Sequence, residues 1–213
     1  MAKTSNCTKE TADAVWNVLL KTFPNASCTL DKDEPYRFLI RALLSAQCTD
    51  KKVNAVCKIL FDELKTPEEI FGAGINVIEE YIKPCGLYHA KAGYILSATD
   101  LYINEWGRKV PRDVSILMKC PGIGRKIANL LVGELYDVPA LVVDTHFKRV
   151  AYRIGLTKNH EPLKVEKDVC KLFDETKWNS LGHKMVAFGR EYCVSQNPKC
   201  DECPMSKCCG RNL

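Results

Sequence analysis

Four groups of residues have types and spacings that could do chemistry. The densest is Cys193-x6-Cys200-x2-Cys203-x5-Cys209, with Cys208 as an extra thiol beside the last member. Four thiolates on one short loop can wrap a [4Fe–4S] cluster or a zinc ion. Zinc favours paired C-x2-C knuckles, and only Cys200 and Cys203 form one. The spacing therefore leans toward iron–sulfur. Unpaired surface thiols are the alternative reading, but so many together would be an oxidation hazard.

The second group is Cys120-Pro121-Gly122-Ile123-Gly124-Arg125-Lys126. Two glycines one residue apart let the backbone bend sharply and turn its N–H groups outward, and a helix start just after them makes a phosphate cradle. This is the helix-hairpin-helix pattern, which grips a DNA backbone without reading bases. A plain inter-helix turn would read the same way if the basic pair Arg125-Lys126 and the apolar run after it were missing. Lys126 is the third feature. The positive end of a helix disfavours a cation in its first turn, which favours the neutral amine that a nucleophile needs. Its plainer role is a solvated phosphate-binding lysine. The fourth is Asp144 in Val142-Val143-Asp144-Thr145-His146. A carboxylate after an apolar connector and before a helix is an N-cap by default, with a catalytic role as the competing reading. His146 reads as a structural hydrogen-bonding residue.

The elements that must position these groups are helical. Ala12, Val15, Trp16, Leu19, Leu20 and Phe23 recur at helical spacing, as do Phe38, Leu39, Ala42, Leu43 and Ala46, and Val53, Val56, Cys57 and Leu60. Tyr94, Ile95, Ala98, Leu101 and Tyr102 continue the series, followed by Ile127, Leu130, Leu131 and Leu135. Phe147, Val150, Ala151 and Ile154, then Leu181, Met185, Phe188 and Tyr192, complete it. Each is a single apolar stripe. Thr66-Pro67-Glu68-Glu69 offers an N-cap with a capping box, Asp113 and Asp144 stand at N-cap positions, and Gly155 suits a C-cap. About ten helices with short loops are predicted. The segment from Val138 to Val143 is short and holds Pro139, so it reads as an extended connector rather than a strand. The fold class is all-α.

Composition narrows the partners. The 213 residues suffice for one large or two small domains, and 46% hydrophobic with 27% charged residues argues against disorder for most of the chain. No apolar stretch is long enough for a membrane span. The segment from Met1 to Glu10 is polar and predicts no secretory signal, hence a cytoplasmic or nucleoid location. With no such signal, the twelve cysteines are expected as thiols or metal ligands in a reducing compartment. A net charge of +5 permits a polyanion partner without demanding one.

The motifs together resemble the endonuclease III family of DNA glycosylases, over nearly the whole chain. Leu43-Leu44-Ser45-Ala46-Gln47-Cys48-Thr49-Asp50 looks like the family's LLSAQ-x-TD segment. Tyr81-Ile82-Lys83 with Gly86-Leu87-Tyr88 and Lys91-Ala92 also matches. So do Pro121 to Lys126 with Ala128-Asn129, and Val143 to His146 with Arg149-Val150. The resemblance implies a two-domain helix-hairpin-helix glycosylase fold with a C-terminal [4Fe–4S] loop. Residues 28–138 would form a six-helix barrel containing the hairpin at about 113–136. Residues 1–27 with 139–213 would form the cluster domain. DNA would enter a cleft lined by Lys126 on one side and Asp144 on the other.

The resemblance also implies a reaction: a damaged pyrimidine flips out, Lys126 displaces it from C1′, Asp144 assists, and β-elimination through a Schiff base cuts the strand. Gln47 and Leu87 match positions that fill the vacated stack, Gly122 and Gly124 would hold phosphate, and Lys199 and Lys207 would do so beside the cluster. The ligand set would be Cys193, Cys200, Cys203 and Cys209, because the family spacing ends at Cys209 and not at Cys208. The protein would act on double-stranded DNA as a monomer. Met118, Cys120 and Ile127 depart from an acidic residue, a leucine and a threonine often found at those places, which bears on base preference. Cys48 stands where alanine is common. Two other readings compete: a mismatch glycosylase without lyase activity, which usually has Ser or Tyr at position 126, and a non-catalytic DNA-binding or redox-sensing iron–sulfur protein, which would need neither Lys126 nor Asp144.

Overall fold

The computed structural model describes residues 8–212, and among these every regular element is a helix. In chain order they are α1 (Lys9–Thr22), α2 (Pro35–Leu44), α3 (Asp50–Glu63), α4 (Pro67–Ile82), α5 (Tyr88–Asn104), α6 (Val114–Leu117), α7 (Arg125–Tyr136), α8 (Thr145–Ile154), α9 (Pro162–Cys170) and α10 (Trp178–Glu191). The chain divides into two compact units, Thr29–Val138 and Met1–Cys28 with Pro139–Leu213, so Cys28 falls with the second unit. None of the helices in the described residues is long and apolar enough to cross a membrane.

The Thr29–Val138 unit is built around α2, whose residues from Phe38 to Leu44 are all buried. A helix apolar on every side belongs in a core. Its one buried charge, Arg41, pairs with Asp33 through two guanidinium nitrogens and lies 5.2 Å over the Phe61 ring. The Tyr36 hydroxyl bonds the Thr99 hydroxyl at 2.7 Å, which satisfies both inside the core. Around α2 the ends are set locally. Thr49 caps α3, and Asp113 caps the short α6. Thr66 and Glu69 close the expected capping box on α4. The helix expected to run on through Ala46 stops at Leu44, and Ala46 is exposed in a turn. Ser45 still bonds Arg41 through its N–H and Ala42 through its N–H and hydroxyl, and the chain then turns into the left-handed Gln47, which no right-handed helix can contain.

The other unit gathers α1, α8, α9 and α10 on a core of Val15, Leu19, Phe147, Val150, Leu181, Met185 and Phe188, joined by Met205 from the C-terminal loop. Buried Lys184 on α10 donates to the carbonyls of Phe23 and Pro24 at 2.6 and 2.9 Å, tying down the end of α1. The two carbonyls lie at and just past the C-terminus of α1, the end where a cation is favoured. Gly155 ends α8 in the left-handed region as expected, and residues 138–143 form neither helix nor strand.

Candidate functional site

The hairpin is formed by α6, the turn 118–124 and α7, within the Thr29–Val138 unit. Gly122 has φ +84, a conformation that disfavours any L side chain. A Cβ there would also lie 2.5 Å from the Tyr94 ring. The first glycine is therefore required by the protein itself. Gly124 is different. Its φ of −85° suits any residue, and a Cβ there would meet nothing within 4 Å. It is the N-cap of α7 and has no side chain of its own with which to bond the helix start. Open space at the start of a helix suits an approaching phosphate oxygen. Arg125 and Lys126 occupy the first two helical positions, and Lys126 is exposed. Under the hairpin, burial pushes the Cys120 thiol up to about 11, which leaves it an inert core group; Met118 is exposed at the end of α6 and Ile127 half-buried.

Gln47 and Leu87 lie on two other turns of the same unit. Both are exposed, and both hold left-handed backbones, with φ of 53° and 51°. Neither is a glycine, so both turns are held by their surroundings. Leu87 is the N-cap of α5 and is 58% exposed, unusual for a large apolar side chain. Cys48, next to Gln47, is half-buried. Helix α5 organises all three features. Leu87 precedes it, Lys91 is buried one turn on, and Tyr94 packs beneath Gly122 one turn further. Positions i, i+4 and i+7 share one helix face. Tyr94, read as part of an apolar stripe, is partly exposed because it serves the hairpin rather than the core.

Asp144 belongs to the other unit. It is half-buried and caps α8, its Oδ1 accepting from the Phe147 N–H at 2.7 Å. The capping bond fixes the carboxylate's direction while Oδ2 carries no described bond. His146 shares a 3.2 Å bond between its Nδ1 and Arg149, the structural role expected of it.

The cysteine loop follows α10. Cys193, Cys200, Cys203 and Cys209 line one small cavity with Ile154, Phe188, Tyr192 and Met205. Cys208 does not line it; its thiol turns to the Met205 carbonyl at 3.5 Å. No three His, Cys, Asp or Glu among the described residues are gathered as for a single metal ion. The residues missed in the sequence are the arginines behind this loop. Arg149 donates to the carbonyls of Cys193 and Gly189, both at 2.9 Å. Arg153 donates to Val194 at 2.7 Å, to Ser195 at 2.9 Å and to the Cys193 sulfur at 3.7 Å. The Arg211 N–H donates to the Cys209 sulfur at 3.4 Å. Arg149 and Arg153 sit at i, i+4 on α8, a pattern that marks a face but not its target. Lys199 and Lys207 are exposed on the loop, and Lys199 borders the cavity.

Residues 40–175 match the model of the HhH-GPD superfamily base excision DNA repair proteins. Endonuclease III of Bacillus subtilis (strain 168) is 39% identical over 188 residues, covering 88% of this chain and 86% of that protein. Endonuclease III of Rickettsia conorii (strain ATCC VR-613 / Malish 7) is 37% identical over 92% of this chain and 93% of its own length. Among solved structures, a non-covalent endonuclease III–DNA complex superposes with a TM-score of 0.90 at 39% identity, covering 95% of both chains. Fold and sequence thus define a DNA-binding helix-hairpin-helix protein of base excision repair. Within that superfamily the chain belongs to the endonuclease III family, and its enzyme class is DNA glycosylase and abasic-site lyase.

Proposed function

We propose that the protein excises oxidised pyrimidines from double-stranded DNA and cuts the resulting abasic strand by β-elimination, with Lys126 as nucleophile. The observation that carries this reading is the exposed Lys126 amine in the first turn of α7, directly after the Gly122–Gly124 cradle. An amine beside a held phosphate is within reach of a neighbouring sugar. The damaged nucleotide leaves the stack, with Gln47 and Leu87 entering the space. The neutral amine attacks C1′ as the bond to the base breaks. The base leaves with that electron pair and takes up a proton. The ring opens to an iminium, the Schiff base, which acidifies the 2′ proton. Loss of that proton sends its electrons to C1′–C2′ and onward to expel the 3′ phosphate. Water then hydrolyses the imine and returns Lys126. Asp144 stabilises the cationic sugar and carries protons, its Oδ1 steadied by the capping bond.

Cys193, Cys200, Cys203 and Cys209 would hold one [4Fe–4S] cluster. Four thiols around one cavity, only two of them in a C-x2-C pair, fit a polynuclear cluster better than the paired knuckles that zinc favours. When bound, it supplies cross-links that hold the loop carrying Lys199 and Lys207 toward phosphates. The proposed enzyme acts as a monomer at the nucleoid of a reducing cytoplasm.

The test is borohydride trapping on a duplex carrying a single oxidised pyrimidine. The wild type should form a covalent adduct. Lys126→Gln should form none, with base release and strand cleavage both falling by about 10³ or more while folding is kept. An adduct on Lys126→Gln refutes the assignment. Base release by wild type without any adduct favours a glycosylase lacking lyase chemistry.

A further inference from the structure

Lys91 is 3% exposed, and its ammonium gives two hydrogen bonds, to the Leu44 carbonyl at 3.0 Å and the Cys85 carbonyl at 2.9 Å. Leu44 is the last residue of α2, three before Gln47. Cys85 closes the short 3-10 turn Lys83–Cys85, two before Leu87. One buried amine therefore joins the bases of the two turns whose tips are the exposed, left-handed Gln47 and Leu87. The Lys91 N–H also returns to the Leu87 carbonyl at 3.1 Å, so the same residue anchors the second turn twice. Burying a cation is unfavourable, and burial pulls this amine below its ordinary value. A methionine would fill the same length without that penalty. What the ammonium adds is the join between two carbonyls that lie far apart in sequence.

We propose that Lys91 is a positioning residue for nucleotide extrusion: it clamps the Gln47 and Leu87 turns at a fixed separation, so that both side chains enter the duplex together. This rests on the reading of Gln47 and Leu87 as the residues that fill the vacated stack. Tyr94, on the same face of α5, supports the Gly122 turn, so that entry into the duplex and grip on the backbone are set by one helix.

The experiment uses the full chain with its cluster, matched for iron content and melting temperature. Extrusion is followed by the fluorescence of 2-aminopurine placed in a duplex next to 5-hydroxycytosine. Cleavage of an abasic site in single-stranded DNA, which needs no extrusion, is measured in parallel. Lys91→Met should slow the fluorescence rise and excision from duplex by about tenfold and change single-strand cleavage by less than about twofold. Lys91→Gln keeps a donor and should recover part of the loss. In a Gln47→Ala/Leu87→Ala background, Lys91→Met should add little, because the residues it acts through are gone; general loosening of the fold would add its full effect. Should Lys91→Met fail to fold, Lys91→Gln in the same cycle decides. Unchanged extrusion in the Lys91 variant, equal loss on both substrates, or full additivity overturns the inference and leaves the wedge reading standing. Unchanged extrusion in Gln47→Ala and Leu87→Ala overturns the wedge reading, and this inference with it.

Discussion

The two hairpin glycines allow the protein's own needs to be separated from those of DNA. In Gly122→Ala the new side chain must sit at φ +84, which costs about 1–2 kcal/mol for an L residue. It also places a methyl 2.5 Å from the Tyr94 ring, and overpacking of that kind costs about 1–3 kcal/mol. The Tyr94 Cβ is also within 2.9 Å, and no rotation of that side chain moves it, so the clash is relieved only by a backbone shift. The sum is about 2–5 kcal/mol, or roughly 5–20 °C in melting temperature for a chain of this size. Gly124→Ala meets no neighbour and needs no special backbone. Alanine is a poorer N-cap than glycine by about 0.5 kcal/mol, while restricting the unfolded chain returns about 0.4–1 kcal/mol. The melting temperature should stay within about 2 °C. DNA binding should nevertheless weaken, because on the cradle reading the methyl occupies space that a phosphate takes; losing one charge-assisted bond of about 1.5–3 kcal/mol is about 10- to 150-fold in Kd. Thermal melts with undamaged-duplex titrations at one salt concentration read both quantities. A Gly122→Ala melt unchanged within 2 °C refutes the steric argument. Undiminished DNA affinity in Gly124→Ala refutes the phosphate cradle.

Asp144→Asn keeps an acceptor for the Phe147 N–H and should melt like wild type while turnover falls by about 10² or more; Asp144→Ala should also lose about 1 kcal/mol of stability. Near-full activity in the asparagine variant would show the carboxylate to be a cap alone. Cys209→Ser should yield pale, iron-poor protein, and Cys208→Ser brown protein with about four irons, as read by iron and sulfide assays. The reverse pattern would reassign the ligand, and zinc after anaerobic purification would replace the cluster. Lys199→Ala and Lys207→Ala should weaken binding to every duplex alike and reduce the salt slope by roughly one each; an effect confined to one sequence would contradict a phosphate role.

The sequence by itself determined what depends on near neighbours along the chain. Helix periodicity, the Thr66–Glu69 capping box, the Asp113 and Asp144 caps and the Gly155 stop are all satisfied within a few residues, so their signals are local. The hairpin glycines and the cysteine spacing are likewise written in one stretch each. Tertiary structure decided which partner a side chain reaches. Nothing local distinguishes Lys91 from a surface lysine, because the Leu44 carbonyl it bonds lies 47 residues away. Tyr94 carries no mark of its contact with Gly122, and Arg149 and Arg153 none of theirs with the cysteine loop. That Gly122 is needed by the protein whereas Gly124 leaves open space also could not be read from P-G-I-G, where the two are alike. An apolar stripe names the face a helix buries; only packing brings distant carbonyls, rings and thiols to that face.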